Sequence, residues 1–305
     1  MNLADIEKAE LECAVVTNGK FNLLGVANGS YSPGDEVLTY LEDTDDINDM
    51  LLRSNISSVI CSRAIASEIL TRFPGGVCTA ADPRGVFFKY HNYLGSKTDF
   101  YLSEFRSDVH DSAFVHSSAE VAAKNVRIGK NCRIGANVVV RENTQIGDNV
   151  VVHDGSVVGA DGFNYFDQGG AARAAVNYGG VSIMDDADIH ANTTIERGLF
   201  RGATVIGRGA KVGGMTYIGH DVNIGPGCKI AVGVIIAPYA AVGNGSFIDT
   251  GARIGRMACV GDGCEIASAA VVNGKIPDNL RFPTELQNSR SAAYRFEREF
   301  WNSAR

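Results

Sequence analysis

The six histidines are the side chains of this sequence best suited to proton transfer near neutral pH, where imidazole ordinarily titrates. They are His91, His110, His116, His153, His190 and His220. His220 lies in MTYIGHDVNIG (215–225), two positions after Ile218, which the surrounding pattern points inward. Strand alternation then predicts that His220 points outward near a corner, where it could act as a general base. A solvated surface histidine is the alternative, and spacing alone favours it.

The spacing of histidine and cysteine does not favour a metal site. The sequence has no His-x₄-His, and His153, His190 and His220 are separated by 37 and 30 residues. Seven cysteines are an odd number and include no CxxC. This pattern indicates reduced thiols in a cytoplasm and argues against a disulfide framework or a zinc cage. We therefore expect no metal.

A six-residue period dominates the chain from Val115 onward and must position these side chains. Aliphatic residues recur every six positions, with three changes of register, up to Val272. Glycine often follows them, as in RIGKNC and RIGANV. A period of six matches neither a helix nor a single strand and is typical of a hexapeptide β-helix, in which three short strands form one coil. We predict a mainly β protein with a left-handed parallel β-helix over 109–276.

The remaining segments read differently. Residues 1–108 alternate short apolar runs such as SSVICS (57–62) with helical patterns, which predicts a small α/β domain. Residues 277–305 are expected to form a C-terminal extension ending in an amphipathic helix. Its arginines could meet an acidic acyl carrier protein, but the glutamates among them fit a solvated helix equally well.

One insertion, 159–182, is too long for a corner of the β-helix and must leave its wall as a loop. Phe163 and Tyr165 give this loop an aromatic tip, which makes them candidates for substrate binding. A loop that covers a neighbouring subunit is the alternative. The flat faces of such a β-helix need covering, and a closed homotrimer with grooves between subunits is the expected solution.

Composition excludes several classes of partner. A net charge of −7 disfavours nucleic acids and anionic membranes, which attract basic surfaces. The longest apolar tract, IAVGVIIAPYAAVG (230–243), is too short and too interrupted to cross a bilayer. The first residues show no secretory pattern. We expect a cytoplasmic protein without membrane insertion.

Each coil has eighteen residues, so Pro238, Arg256 and Gly274 should stack in one column with His220, each one coil further along the β-helix. Arg256 would lie two coils from His220, about 9.6 Å away at the usual strand spacing of about 4.8 Å. It is a candidate for contacting a phosphate or a pantetheine arm, with an ordinary surface charge as the alternative.

Several motifs resemble those of the UDP-3-O-acyl-glucosamine N-acyltransferase family of lipid A biosynthesis. They are GADGFNYF (159–166), GGVSIMDDADIHANTTIERG (179–198), TVIGRGAKV (204–212) and YIGHDVNIG (217–225). LLGVANGSYSPGDEVLTYL (23–41) and SSVICSRAIA (57–66) are similar to the family's N-terminal uridine-binding module. The resemblance therefore extends over nearly the whole chain.

The resemblance implies acyl transfer from a thioester to the amine of a nucleotide-linked amino sugar, feeding lipopolysaccharide or surface polysaccharide synthesis. The donor would be acyl carrier protein or coenzyme A, as a co-substrate and not as a bound cofactor. The family's catalytic histidine falls on His220, which would act as the general base.

Three departures from the family stand out. Its oxyanion-binding glycine is replaced by Pro238, which has no N–H, so the Tyr239 amide becomes the candidate donor. Its uracil-stacking Phe–Asn–Tyr pattern reads here as Tyr40, Asp43 and Asp46, and its late Asn-Gly-His motif is absent. These changes favour a relative that acylates another sugar nucleotide. The alternative is a catalytically silent β-helix that binds a sugar nucleotide or a partner protein.

Overall fold

The computed structural model describes residues 1–27, 29, 31–43, 47–51, 53–101 and 104–282. The chain divides into two compact units. The first contains Met1–Ser103, Phe163–Tyr178 and Leu199–Arg201, and the second contains the rest. The C-terminal helix predicted within 289–305 lies outside the described residues.

The first unit is a small α/β fold built on a five-stranded sheet, which confirms the predicted N-terminal α/β region. The strands are β1 (Cys13–Thr17), β2 (Leu23–Leu24), β3 (Val37–Leu41), β4 (Ile56–Ser62) and β5 (Gly76–Ala80). Their order is β1-β5-β4-β3-β2, with only β1 antiparallel to its neighbour. The helices described are a 3₁₀ helix (Leu3–Ala9), α1 (Ile47–Leu51), α2 (Ala66–Arg72) and α3 (Pro83–Lys97). None of the helices in the described ranges is long and apolar enough to cross a membrane.

The excursion from the β-helix belongs to this first unit. The middle of the excursion forms an antiparallel hairpin of two strands, β15 (Tyr165–Gln168) and β16 (Ala171–Ala174). Phe166 stacks on Phe88 of α3, with ring centroids 5.7 Å apart. The Asn92 side chain binds backbone groups of Ala174 and Val176 at 2.8 and 3.0 Å. The hairpin is therefore held by helix α3.

A buried histidine fastens the end of this hairpin. His91 of α3 is wholly buried, with Nδ1 2.8 Å from the Tyr101 hydroxyl and Nε2 2.7 Å from the Val176 carbonyl oxygen. Burial lowers the pKa of His91 to about 4, partly opposed by the hydrogen bond to Val176. A proton on His91 is thus disfavoured in the folded protein but not in the unfolded chain, whose imidazole titrates near 6.5.

We expect His91 to weaken the first unit in acid. Because the folded pKa is depressed, its stabilising contribution is complete above about pH 6.5 and is lost as the pH falls toward 4. The loss should approach about 3 kcal/mol. Urea unfolding of wild type and His91→Gln at pH 7 and pH 4.5, followed by circular dichroism, measures it. An equal pH dependence in both proteins would contradict the assignment.

The second unit confirms the predicted left-handed parallel β-helix. Three sheets form its faces, with nine, nine and eight strands. Face 1 contains β6 (Asp108–Val109), β9 (Val126–Ile128), β12 (Thr144–Ile146), β17 (Gly180–Ile183), β20 (Ala203–Ile206), β23 (Asn223–Ile224), β26 (Ala241–Val242), β29 (Cys259–Val260) and β32 (Lys275–Ile276). Face 2 contains β7 (Phe114–Val115), β10 (Arg133–Ile134), β13 (Val151–Val152), β18 (Asp188–Ile189), β21 (Lys211–Val212), β24 (Lys229–Ile230), β27 (Phe247–Ile248), β30 (Glu265–Ile266) and β33 (Arg281–Phe282). Face 3 contains β8 (Glu120–Val121), β11 (Val139–Val140), β14 (Val157–Ala160), β19 (Thr194–Glu196), β22 (Tyr217–Ile218), β25 (Ile235–Ile236), β28 (Arg253–Ile254) and β31 (Val271–Val272).

The hexapeptide pattern explains this architecture residue by residue. Ile218 pairs with Ile236, and Ile236 pairs with Ile254, so the eighteen-residue step runs directly along face 3. All three side chains are buried in one aliphatic core. Corners turn through residues with positive φ; those in the β-helix that are not glycine have φ between 55° and 63°, and many are asparagine, which tolerates this left-handed backbone. Tyr239, with φ of 62°, is a bulky exception beside His220.

Candidate active site

His220 lies at the end of β22, at the corner between face 3 and face 1. The pairing of Ile218 with Ile236 places Pro238 next to His220 on the following coil, as the repeat predicts. The His220 side chain is only 3% exposed within the chain. This burial contradicts the alternative of a solvated surface histidine, whereas the catalytic role of His220 stays a prediction. The physical reason is that groups from neighbouring coils close over the corner.

An aspartate orients the imidazole. His220 Nδ1 lies 2.9 Å from Asp221 Oδ2. An ionised carboxylate can only accept a hydrogen bond, so this contact places the proton on Nδ1 and the lone pair on Nε2. The Asp221 backbone N–H in turn donates to the Thr204 hydroxyl at 2.9 Å. In this tautomer Nε2 is the ring nitrogen that could take a proton.

A buried glutamate supports the same corner from the preceding coil. The His220 backbone N–H donates to Glu196 Oε2 at 3.0 Å, and the Tyr217 hydroxyl donates to Glu196 Oε1. Burial and the Glu196 carboxylate raise the pKa of Tyr217 well above its usual value. The hydroxyl therefore stays protonated and remains a donor at neutral pH.

An irregularity of face 3 accompanies Glu196. The register between β14 and β19 shifts between Val158 and Ala160, leaving Gly159 unpaired with a φ of 90°. Such a bulge re-aims side chains on the strands that it joins. Glu196 is one of the few charged side chains buried among the described residues of the β-helix.

Tyr239 and Arg256 continue the site along the next two coils. The Tyr239 ring meets the His220 imidazole edge to face, with centroids 5.0 Å apart. The Arg256 guanidinium carbon lies 5.7 Å from the centroid of the Tyr239 ring. The structure therefore brings these three predicted residues together.

The predicted oxyanion role of the Tyr239 amide is wrong. Its N–H donates to the His220 carbonyl oxygen at 3.0 Å, within the ladder that joins successive coils. A donor committed to that ladder is not available to a substrate. With Pro238 lacking an N–H, the backbone above His220 offers no donor at either position.

Gly219 is required for packing against the next coil. A Cβ at this position would lie 2.7 Å from the Pro238 nitrogen and 2.8 Å from its Cδ. The neighbouring coil therefore fills the space that the small residue leaves.

Gly219→Ala is accordingly expected to destabilise the β-helix by about 1–3 kcal/mol, because the clash involves backbone that cannot move independently. Thermal unfolding followed by circular dichroism measures this loss. An unchanged midpoint would show that the coils separate easily at this corner.

The other predicted binding residues lie in the first unit. The half-buried Tyr40 ring packs against Phe87 and Phe88, with centroids 5.0 and 5.9 Å apart. Asp43 is exposed just after β3. Phe163 is 88% exposed and Tyr165 48%, and their rings contact each other at 5.0 Å. Asp46, which completes the altered aromatic pattern, lies outside the described residues.

Parts of the chain are similar to a known protein family and to curated proteins. The bacterial transferase hexapeptide (six repeats) family matches residues 125–160. UDP-3-O-acylglucosamine N-acyltransferase 2 of Nitrobacter winogradskyi is 44% identical over 70 residues, which are 23% of this chain and 20% of that relative. The UDP-3-O-acylglucosamine N-acyltransferase of Herminiimonas arsenicoxydans is 46% identical over 70 residues, with the same shares. The chain thus spans about a fifth of the length of the curated relatives it matches.

Parts of two solved structures are similar to this chain. The UDP-N-acetylglucosamine O-acyltransferase from Moraxella catarrhalis RH4 is 25% identical, covering 54% of this chain and 66% of that chain, with a TM-score of 0.35. The UDP-N-acetylglucosamine acyltransferase from Campylobacter jejuni is 21% identical, covering 55% and 68%, with a TM-score of 0.40.

Fold and repeats together define the class: this is a hexapeptide-repeat β-helix protein. Within that class, a segment of 70 residues is similar to the UDP-3-O-acylglucosamine N-acyltransferases, which confirms the family resemblance for 23% of the chain.

Proposed function

We propose that this protein is an N-acyltransferase that moves an acyl group from an acyl thioester to the amine of a nucleotide-linked amino sugar. The observation that carries the proposal is the buried His220–Asp221 pair, with Nδ1 and Oδ2 2.9 Å apart. The pair lies in YIGHDVNIG (217–225), one of the motifs that resemble the N-acyltransferases. A histidine with its tautomer set by a carboxylate is suited to general-base catalysis.

The reaction needs one base and one site of charge stabilisation. His220 Nε2 removes a proton from the acceptor amine as its nitrogen bonds to the thioester carbonyl carbon. The carbonyl oxygen becomes an oxyanion, and its collapse breaks the carbon–sulfur bond. The departing thiolate takes up the proton from His220, which leaves an amide and a free thiol.

Access to the imidazole requires a side chain to move, because His220 is almost fully covered. Tyr239 is a covering ring, and its contact with His220 is through ring packing. We assign it the role of a movable cover. Arg256, stacked over that ring, supplies the positive charge for the oxyanion or for a phosphate of the substrate.

The first unit carries its own candidate contacts to a sugar nucleotide. Tyr40 provides an aromatic face for a nucleobase, and the exposed Phe163 and Tyr165 provide a second aromatic surface. The donor would be an acyl carrier protein or coenzyme A thioester, and the working assembly a homotrimer. These assignments rest on the resemblance to the N-acyltransferases.

A matched pair of substitutions tests whether the missing backbone N–H at position 238 limits the rate. Pro238→Gly and Pro238→Ala both restore an N–H beside His220, and the alanine variant does so with less added backbone freedom. If oxyanion stabilisation limits the rate, kcat should rise by up to about 10²-fold in both variants. Steady-state kinetics with free thiol release as the readout measures the change. A fall in kcat in both variants, with folding intact, would contradict this account of Pro238.

The backbone at this corner also favours a second candidate function, a catalytically silent module that binds a sugar nucleotide. Neither position 238 nor position 239 offers an amide donor to an oxyanion. A panel of amino-sugar nucleotides, tested by calorimetry and with acetyl-CoA and hydroxyacyl carrier protein, separates the two functions. Saturable binding without product from any donor would favour the binding module.

A further inference from the structure

A second group of ligating side chains lies on the β-helix, at the end of face 2. His153, Asp188 and His190 form what we call the His–Asp–His cluster. His153 Nε2 lies 3.0 Å from Asp188 Oδ1, and His190 Nε2 lies 3.9 Å from Asp188 Oδ2. The two imidazole rings are stacked, with centroids 4.8 Å apart and planes at 29°. One ligand atom from each residue lies within 4.8 Å of the others.

The fold creates this cluster from residues that are distant in sequence. Val152 of β13 pairs with Ile189 of β18, so His153 and His190, which directly follow them, occupy neighbouring coils. The excursion to the first unit separates them by 37 residues instead of the usual eighteen. Asp188 faces outward in β18, between the two imidazoles.

Glycines occupy the equivalent positions on the coils before and after the two histidines. The backbone ladder places Gly135 before His153 and Gly213 after His190. No side chain from these two positions can therefore cover the imidazoles. The three cluster side chains are 44%, 28% and 54% exposed in chain order, so an ion can reach them from solvent.

We propose that the His–Asp–His cluster binds one divalent transition-metal ion. Two imidazole nitrogens and one carboxylate oxygen are the ligand set of sites that hold such ions with positions left open for water. Zinc takes imidazole nitrogen at about 2.0–2.1 Å and carboxylate oxygen at about 2.0–2.2 Å, so neighbouring ligand atoms around it lie about 3–3.5 Å apart. The pair at 3.0 Å already fits and the pair at 3.9 Å must close by a fraction of an ångström. The three ligand atoms lie within 4.8 Å of one another, so the partly exposed side chains must also rotate toward a common ion.

The surrounding charges allow this assignment. Lys211 pairs in register with Asp188 on face 2, but its ammonium donates to the Asp186 carbonyl oxygen at 2.9 Å. Its hydrogen bond therefore goes to the backbone rather than to the cluster. Two imidazoles also disfavour Mg²⁺ and Ca²⁺, which prefer oxygen ligands.

The alternative is a metal-free ion pair between protonated His153 and Asp188, with His190 merely stacked beside it. The two arrangements respond differently to a titration. An ion pair leaves no reason for tight binding of Co²⁺, whereas a metal site requires all three side chains. Metal binding also displaces protons from its ligands and should weaken as the pH falls.

The test uses the full chain after treatment with a chelator, with Co²⁺ as a spectroscopic probe and Zn²⁺ as its competitor. We expect one Co²⁺ per chain, with visible absorption bands that Zn²⁺ abolishes. His153→Ala, Asp188→Asn and His190→Ala should each weaken binding by at least about tenfold, as loss of even outer-shell partners commonly does. His116→Ala is the matched control, because His116 lies in the same column two coils earlier and outside the cluster; its binding should equal that of wild type.

Two results would overturn the proposal. One is no saturable Co²⁺ binding by the wild-type chain. The other is binding that the three cluster variants retain with unchanged affinity. Circular dichroism of each variant verifies folding, and the exposed positions make misfolding a minor concern. The readout is independent of acyl transfer, so the proposed function can fail without affecting this result.

Discussion

Replacing His220 by alanine is expected to lower kcat for acyl transfer by about 10²–10⁴-fold, the usual contribution of a positioned general base. With an ionised Asp221 accepting a hydrogen bond from Nδ1, Nε2 would supply the lone pair that accepts the amine proton. KM for the sugar nucleotide should change much less, because the base acts mainly in the transition state. Steady-state kinetics over a range of acceptor concentrations separates the two parameters.

The controls for this substitution address the burial of the His220 side chain. His220→Ala leaves a cavity in a covered corner, so a fall in activity could arise from misfolding. His220→Gln fills most of that space without supplying a comparable base, and it should lose activity to a similar degree. His116→Ala, a histidine elsewhere on the β-helix, should keep full activity. Turnover that survives both His220 variants would rule out the general-base role.

Removal of the Glu196 carboxylate is expected to lower the free energy of unfolding more than any other substitution considered. Its two oxygens accept the His220 backbone N–H and the Tyr217 hydroxyl in a buried position. Glu196→Ala leaves both donors without this acceptor and should lower the free energy of unfolding by about 2–5 kcal/mol. Urea unfolding followed by circular dichroism measures the loss.

Glu196→Gln is the matched variant. The amide keeps the shape and one acceptor oxygen but lacks the charge and the second acceptor, so it should cost clearly less than alanine. If His220 is the general base, Glu196→Gln should also reduce kcat, because the His220 backbone would be held less firmly. Equal stability of wild type and Glu196→Ala would show that water satisfies these donors, contrary to the structure.

The sequence was sufficient to predict the β-helix because one local rule generates it. A single aliphatic position in six determines which side chain points inward, and adding eighteen gives the neighbour on the next coil. The stacking of Pro238 and Arg256 beyond His220 followed from this rule, as the pairings of Ile218 with Ile236 and of Ile236 with Ile254 confirm. The small α/β region was also predictable from short apolar runs such as SSVICS (57–62).

The details of the site were not predictable in the same way. Alternation places His220 on the outside of its own coil, but it does not reveal that Tyr239 of the next coil folds over it. The assignment of the Tyr239 amide failed because a repeat pattern does not show which N–H groups the ladder between coils consumes. Asp221 adjoins His220 in sequence, and that adjacency was a signal that could have been used.

Two further features of the structure were not predicted from the sequence. Glu196 belongs to ANTTIERG, a motif that marked the resemblance, yet nothing in the motif indicates that its side chain turns into a buried corner. His153 and His190 occupy neighbouring coils only because the residues between β14 and β17 leave the wall and return. Sequence separation, which argued against a metal site, is a poor guide wherever an insertion interrupts a repeat.

Mass spectrometry of the reaction product tests the central claim most directly. The wild-type chain is incubated with an acyl thioester and either a nucleotide-linked amino sugar or the same sugar with its amine already acetylated. Our account predicts an acyl group added through an amide bond to the free amine, no product from the blocked sugar, and loss of product in His220→Gln. Acylation of the blocked sugar, or product formation that does not depend on His220, would contradict it.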